Sequence, residues 1–346
     1  MIDAINPDKS AHLPHWQAIR EALQDYLGEQ LFPQNSLESR RLTPWLASAN
    51  LYHLTLVPRH FPFTRQTLRH FLVKQSPYVH LEARALTTLN LGLKDTPLAS
   101  TVPQFVALLD EHSTLITDFQ PDASSLAAAF LRANLPSGYF VDGVPILRYA
   151  HDLGHWLGRF QALLHRGEEG RVALPDDIEE RLHELDILGR HRTSRFLKAF
   201  DQASADAGCL PLVMSHGDFA PRNALITPQG LHIIDWEMTP DTSQPHLFDV
   251  HHLLAILSKF RPSFPGRPPF GPQAAKTFLH AYQQASPLSQ ETLDRSWRVS
   301  RLLALVLLLS RQVRTSRRHQ GYSFLTGRIA HIQTLARELR HEIDLH

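Results

Sequence analysis

The chain has 346 residues, 43% of them hydrophobic and 20% charged, so it carries enough apolar side chain to fold and is not a disordered polymer. Its 35 lysines and arginines balance 34 aspartates and glutamates at a formal charge of +1, which leaves no global field for gripping nucleic acid or an anionic membrane. A single cysteine, Cys209, excludes an internal disulfide and any multi-cysteine metal site, in keeping with a reducing compartment.

The opening MIDAINPDKSAHLPHW has no basic stretch followed by an apolar core, so no signal peptide is expected. ASANLYHLTLV (47–57) and RHFLVKQ (69–75) carry β-branched, aromatic and alternating apolar residues and read as strands. HLEARALTTLNLGL (80–93) places strong helix formers at helical spacing. The proline-broken TPLASTVPQF then leads into two more strands, FVALLDE and STLITDF, turning near His112. From SSLAAAFLRANL onward the texture becomes helical, and residues 146–165 repeat apolar side chains at three- and four-residue intervals. PDDIEERLHELDILGRHRTSRFLKAF reads as a solvated helical pair. PLVMSHGDF brings a short apolar run into a polar loop, and NALITPQGLHIIDWE reads as a hairpin about a Pro-Gln-Gly turn. FDVHHLLAILSKF precedes the Pro/Gly-rich RPSFPGRPPFGP, after which three helices are expected. The longest apolar run, LLALVLLL at 302–309, is far short of the roughly 20 residues a bilayer requires and reads as a buried helix. These elements suggest a small mixed lobe over residues 1–120 and a larger helical lobe over 121–346, in a cytoplasmic protein.

Chemistry concentrates in HGDFAPRNALITPQGLHIIDWE, residues 216–237. His216, Asp218 and Asn223 lie in the loop and at its exit, and Asp235 closes the hairpin. Such a loop can aim one carboxylate at a substrate hydroxyl while the hairpin returns a second carboxylate to the same point. Protein-kinase catalytic loops place an Asn five residues after their catalytic Asp, the spacing of Asp218 and Asn223. With Gly217 in the loop and Asp-Trp-Glu at 235–237, the segment resembles the aminoglycoside phosphotransferase and choline kinase family. The resemblance is firm over residues 211–257 and thinner over 46–165.

That resemblance implies an α+β, bilobal protein-kinase-like fold, with an antiparallel sheet in the small N-terminal lobe and a mainly helical C-terminal lobe. It implies transfer of the γ-phosphate of ATP or GTP, with Mg²⁺, to a hydroxyl of a small molecule or peptide side chain. Asp218 would position the acceptor and take its proton, and Asn223 and Asp235 would offer Mg²⁺ hard oxygen ligands. His216 is expected to brace the loop, and Asp249 to open a helix and hydrogen-bond the loop backbone. Glu237 either joins the metal shell or caps the loop. Lys74 resembles the strand lysine that meets the α- and β-phosphates, with Glu82 as its ion-pair partner. Backbone groups from Ile116 to Phe119, including Thr117, are expected to meet an adenine edge.

Family members usually carry glycine in the turn over the phosphates, but PWLASANLYHLTLV has none, leaving Ala47, Ser48, Ala49 and Asn50 to make it. The departure keeps open a catalytically degraded kinase-like binding or scaffold subunit, for example in peptide natural-product tailoring. His216, Asp218, Asp235 and Asp249 also admit a metal-dependent phosphohydrolase. The acidic segment 175–186 would suit a cationic amine and the basic segment 311–320 a carboxylate or phosphate, though each also fits a solvated helix face. Adjacent His251 and His252 would point about 100° apart on a helix and are expected to serve packing or surface roles. Expected partners are the nucleotide, the acceptor, and a second copy of the chain or a partner enzyme, with neither nucleic acid nor membrane.

Overall fold

The computed structural model describes residues 13–28, 35–42, 49–58, 68–133, 139–165, 167–175, 178, 182, 190–239, 244–257, 270–318 and 322–344. The chain divides into two compact units, Met1–Ser124 with Leu225–Thr239, and Ser125–Ala224 with Pro240–His346. The first unit therefore takes in the hairpin segment that chain order alone would leave with the helical lobe.

An antiparallel five-stranded sheet organises the first unit. Its strands are β1 (Asn35–Leu42), β2 (Asn50–Pro58), β3 (Arg69–Gln75), β4 (Phe105–Leu109) and β5 (Thr114–Asp118), in the order β1-β2-β3-β5-β4. Strand alternation divides β3 between two faces. Phe71 and Val73 join Tyr52, Leu54, Leu56 and Ile116 in a core closed by Ile19, Leu23 and Leu27 of helix α1 (Trp16–Leu27). His70, Leu72 and Lys74 are left to the opposite face. Both α1 and β1 precede the first strand expected from sequence. The four-residue spacing of Ile19, Leu23 and Leu27 is a legible helical signal, whereas NSLESRRL over β1 offers one interior apolar residue. Helix α2 (Val79–Gly92) follows β3 and buries Val79, Ala83, Leu86 and Leu89 along one stripe. The hairpin strands Ala224–Thr227 and Gly230–Ile233 lead into Trp236, and the His232 ring donates to the Ser100 carbonyl at 3.2 Å.

Among its described residues the second unit holds α3 (Leu126–Ala133), α4 (Tyr139–Leu164), α5 (Arg190–Ala207), α6 (Leu247–Leu257), α7 (Phe270–Ala285), α8 (Gln290–Arg318) and α9 (Tyr322–Asp344). Helices α4 and α7 approach closely because Gly154 and Gly158 present no side chain. A Cβ on Gly154 would meet the Phe278 carbonyl oxygen at 2.2 Å, and one on Gly158 would meet Ala285 at 2.8 Å. The expected solvated pair is corrected at α5. Phe196, Phe200, Ala203 and Ala207 form an i, i+4, i+7, i+11 stripe, and with Ile178 and Leu182 they pack against Leu302–Leu309 of α8. Surrounding charge hides that stripe in the composition. The apolar run is thus core, and no described helix is long and apolar enough to cross a membrane. A short strand, β6 (Leu210–Val213), is held on both sides by the two-residue segments Glu169–Gly170 and Gln244–Pro245, and it feeds the loop at 214.

Candidate active site

In the first unit, three carboxylates close on one ammonium. Lys74 Nζ lies 2.8 Å from Glu82 Oε2, 2.9 Å from Asp235 Oδ1 and 2.8 Å from Glu237 Oε2. Alternation along β3 aims Lys74 away from the apolar core, α2 carries Glu82 in its first turn, and the hairpin returns residues 235–237. Asp235 adopts a left-handed backbone (φ 69°), a conformation that Asp tolerates better than most side chains. The turn it makes sends the next residue, Trp236, into the interior. There the indole N–H donates to the Ile233 carbonyl at 2.9 Å and the backbone N–H to Glu82 Oε1 at 3.4 Å. Burial alone would pull the Lys74 ammonium down, but Glu82, Asp235 and Glu237 outweigh it and raise the lysine above its ordinary range. Burial pushes the Glu82 carboxyl up, against the pull of Lys74. Three carboxylates thus gather about a single ammonium in a largely desolvated place.

The second unit holds the HGD loop. Asp249, in the first turn of α6, accepts the His216 N–H on Oδ2 at 2.7 Å and the Gly217 N–H on Oδ1 at 3.1 Å. His216 Nδ1 in turn accepts the Asp218 N–H at 3.2 Å, so this ring nitrogen is unprotonated. Gly217 takes φ 78°, where a Cβ would be strained. The loop thereby presents the Asp218 carboxylate, which Asn223 Nδ2 meets at 3.2 Å while also donating to the Asp218 carbonyl at 2.9 Å. Arg222 Nη2 donates to Asp218 Oδ2, and His252 Nε2 faces Oδ1 at 3.5 Å. Asp218, Asn223, Asp249, His251 and His252 are all buried. His251 stacks edge-on against Trp297, its ring centroid 4.4 Å away, so both histidines of the pair are interior.

Two of these contacts were not anticipated from sequence. Arg222 follows Asp218 by four residues, a spacing that could have flagged it. Nothing in the sequence ties His252 to Asp218. A third polar group, His53 with Thr55 and His70, shares the face of Lys74, with His53 Nε2 and His70 Nδ1 3.0 Å apart.

The remaining expected nucleotide contacts fare differently. Ser48 lies outside the described residues, as does most of the glycine-free turn. Asn50 opens β2, and its Oδ1 accepts from Arg41 at 3.1 Å. Thr117 is buried on β5 beside Leu72. Phe119 follows the end of β5. Its N–H donates to the His70 carbonyl at 2.9 Å and that of Asp118 to the Gln104 carbonyl at 3.1 Å, because strand pairing continues past the end of β5. Neither N–H is open to a nucleobase edge. Of the phosphohydrolase set, His216 and Asp249 serve the loop backbone, and among the described residues the group of three or more that brings ligand atoms within 4.8 Å of one another is Glu82, Asp235 and Glu237. Most of the acidic segment 175–186, and the side chains of the basic segment 311–320, lie outside the described residues.

A family model described as the phosphotransferase enzyme family matches residues 70–303. No curated protein sequence matches the chain. Among solved structures the fold is similar to that of a choline kinase from Streptococcus pneumoniae, at 14% identity and TM-score 0.54 over 95% of this chain and 100% of that one. It is similar to a Plasmodium vivax ethanolamine kinase, at 10% identity and TM-score 0.57 over 94% and 89%. A choline/ethanolamine kinase family protein from Mesorhizobium loti aligns at 15% identity and TM-score 0.50 over 98% and 96%.

Proposed function

The chain belongs to the phosphotransferase enzyme family, and from that premise we propose that it is a Mg²⁺-dependent kinase moving the γ-phosphoryl group of ATP or GTP to a hydroxyl. The acceptor in this reading is a small molecule or a peptide side chain, the former favoured by the choline and ethanolamine kinases whose fold it shares. The observation that carries the reading is the Lys74–Glu82 bond at 2.8 Å. A buried lysine is costly, and a fold retains one where its charge has work to do at a fixed point. In this proposal Lys74 meets the phosphates of the nucleotide and Glu82 fixes its position. Asp235 and Glu237 present the carboxylate oxygens that suit Mg²⁺, and their clustering with Glu82 fits such a hard cation. Asn223, its Nδ2 already on Asp218, has its side-chain oxygen left to offer a metal. Mg²⁺ would supply charge neutralisation of the phosphates. Asp218 positions the acceptor hydroxyl and takes its proton, on a loop whose shape Asp249 and His216 fix.

Calorimetry with ATP and with GTP, each with and without Mg²⁺, tests the reading. Mg²⁺-dependent binding that Asp235→Ala removes is the expected result. Asp218→Ala should keep nucleotide affinity within a few-fold while abolishing transfer. No binding of either nucleotide would refute the kinase assignment, and tight binding with no turnover on any hydroxyl acceptor would leave a binding subunit.

A further inference from the structure

The surroundings of Lys74 hold a second role, which rests on the kinase reading above. Glu82, Asp235 and Glu237 gather ligand oxygens within 4.8 Å of one another, as a divalent-cation site does. The point they surround is nonetheless taken, since Lys74 Nζ reaches all three at 2.8, 2.9 and 2.8 Å. An ammonium and a divalent cation cannot share this place. They repel each other, and Mg²⁺ draws its oxygens to about 2.0–2.1 Å, leaving no room for a competing donor.

We propose that Lys74 is the resident counter-ion of the metal carboxylates, excluding divalent cations from the nucleotide-free protein, and that a phosphate chain creates the cation site by drawing Nζ away from Asp235 and Glu237. The three carboxylates differ in a way that suits this exchange. Glu82 is the deepest, with a side chain 7% exposed, and is further held by the Trp236 N–H. Asp235 and Glu237 are 34% and 17% exposed, so these two face the side from which a ligand arrives. Lysine's four-carbon stem lets Nζ swing while keeping its Glu82 bond, a motion a rigid guanidinium would resist. Removing the lysine charge from Asp235 and Glu237 leaves them as an unneutralised pair, which raises their demand for a cation at the moment the phosphates bring one. Metal alone should therefore bind poorly.

Mn²⁺, counted as free ion by electron paramagnetic resonance in the absence of any nucleotide, tests this on the full chain. Lys74→Met should bind Mn²⁺ at least tenfold more tightly than wild type, and adding Asp235→Asn should cancel the gain. If Lys74→Met fails to fold with three unpaired carboxylates, Lys74→Met/Glu82→Gln carries one buried charge fewer and should show the same gain. Equal Mn²⁺ affinity in wild type and in a folded Lys74 variant would overturn the proposal, as would a gain that survives Asp235→Asn. Because no nucleotide enters this titration, its outcome is independent of MgATP binding, on which the kinase reading stands or falls.

Discussion

Asp249 shows how one buried carboxylate can fix a loop. It meets two neighbouring N–H groups, on His216 and Gly217, that no regular secondary structure would otherwise satisfy. Asp249→Asn sets an NH₂ against one of those donors, and a charged hydrogen bond lost in the interior costs about 2–3 kcal/mol. A lowered urea midpoint and reduced turnover at unchanged nucleotide affinity are expected; an unchanged midpoint would refute the clamp. Asp118 behaves in the opposite sense. Burial pushes its carboxyl up to about 6, against the Gln104 N–H. Folded Asp118 thus prefers the proton, and its contribution to stability is complete below about pH 4 and lost as pH rises through 6. Asp118→Asn keeps an oxygen for Gln104 and has no charge to bury. It should flatten the pH dependence between 4 and 6 and add about 1–2 kcal/mol at pH 8, measured by urea unfolding.

At the scale of elements, the α4–α7 contact sets two effects against each other. Ala is a better helix former than Gly by about 1 kcal/mol. A new Cβ at 154 would sit 2.2 Å from the Phe278 carbonyl oxygen, which belongs to a helix backbone and cannot rotate away. Overpacking of about 1–3 kcal/mol beyond the propensity gain should dominate, so Gly154→Ala lowers the thermal midpoint; a rise would mean that the helices can separate freely. The same elements show what sequence can reveal. Strand alternation at 69–75 and the HGD–DWE pattern single out Lys74, Asp218 and Asp235 as candidates because both signals are local. The sheet's first strand, NSLESRRL, is polar at an edge, and α5 dilutes its apolar stripe with charge, so neither announces itself. His252 meets Asp218 through tertiary packing, which periodicity does not encode. The Phe119 N–H is unavailable because pairing runs one residue beyond the apolar pattern.

The whole molecule carries an acid sensitivity in its second unit. His246 and His251 are both pushed down to about 3, chiefly by burial, with His165 beside the first and Arg301 beside the second adding to it. The folded protein holds them neutral while the unfolded chain takes up protons near pH 6.5. Their contribution is therefore present above that pH and falls away below it, by about 1.4 kcal/mol per pH unit for each ring. Urea midpoints at pH 7, 6 and 5 should drop accordingly; a flat profile would contradict the burial of these rings. The division into units has its own consequence during synthesis. Residues 225–239 belong with Met1–Ser124, yet emerge only after the intervening hundred residues have been made. At typical translation rates that wait is on the order of ten seconds. A nascent chain stalled before Leu225 would hold Lys74 and Glu82 but lack Trp236 and both hairpin carboxylates, so the amino-terminal half should depend on chaperones until ribosomes have passed residue 239.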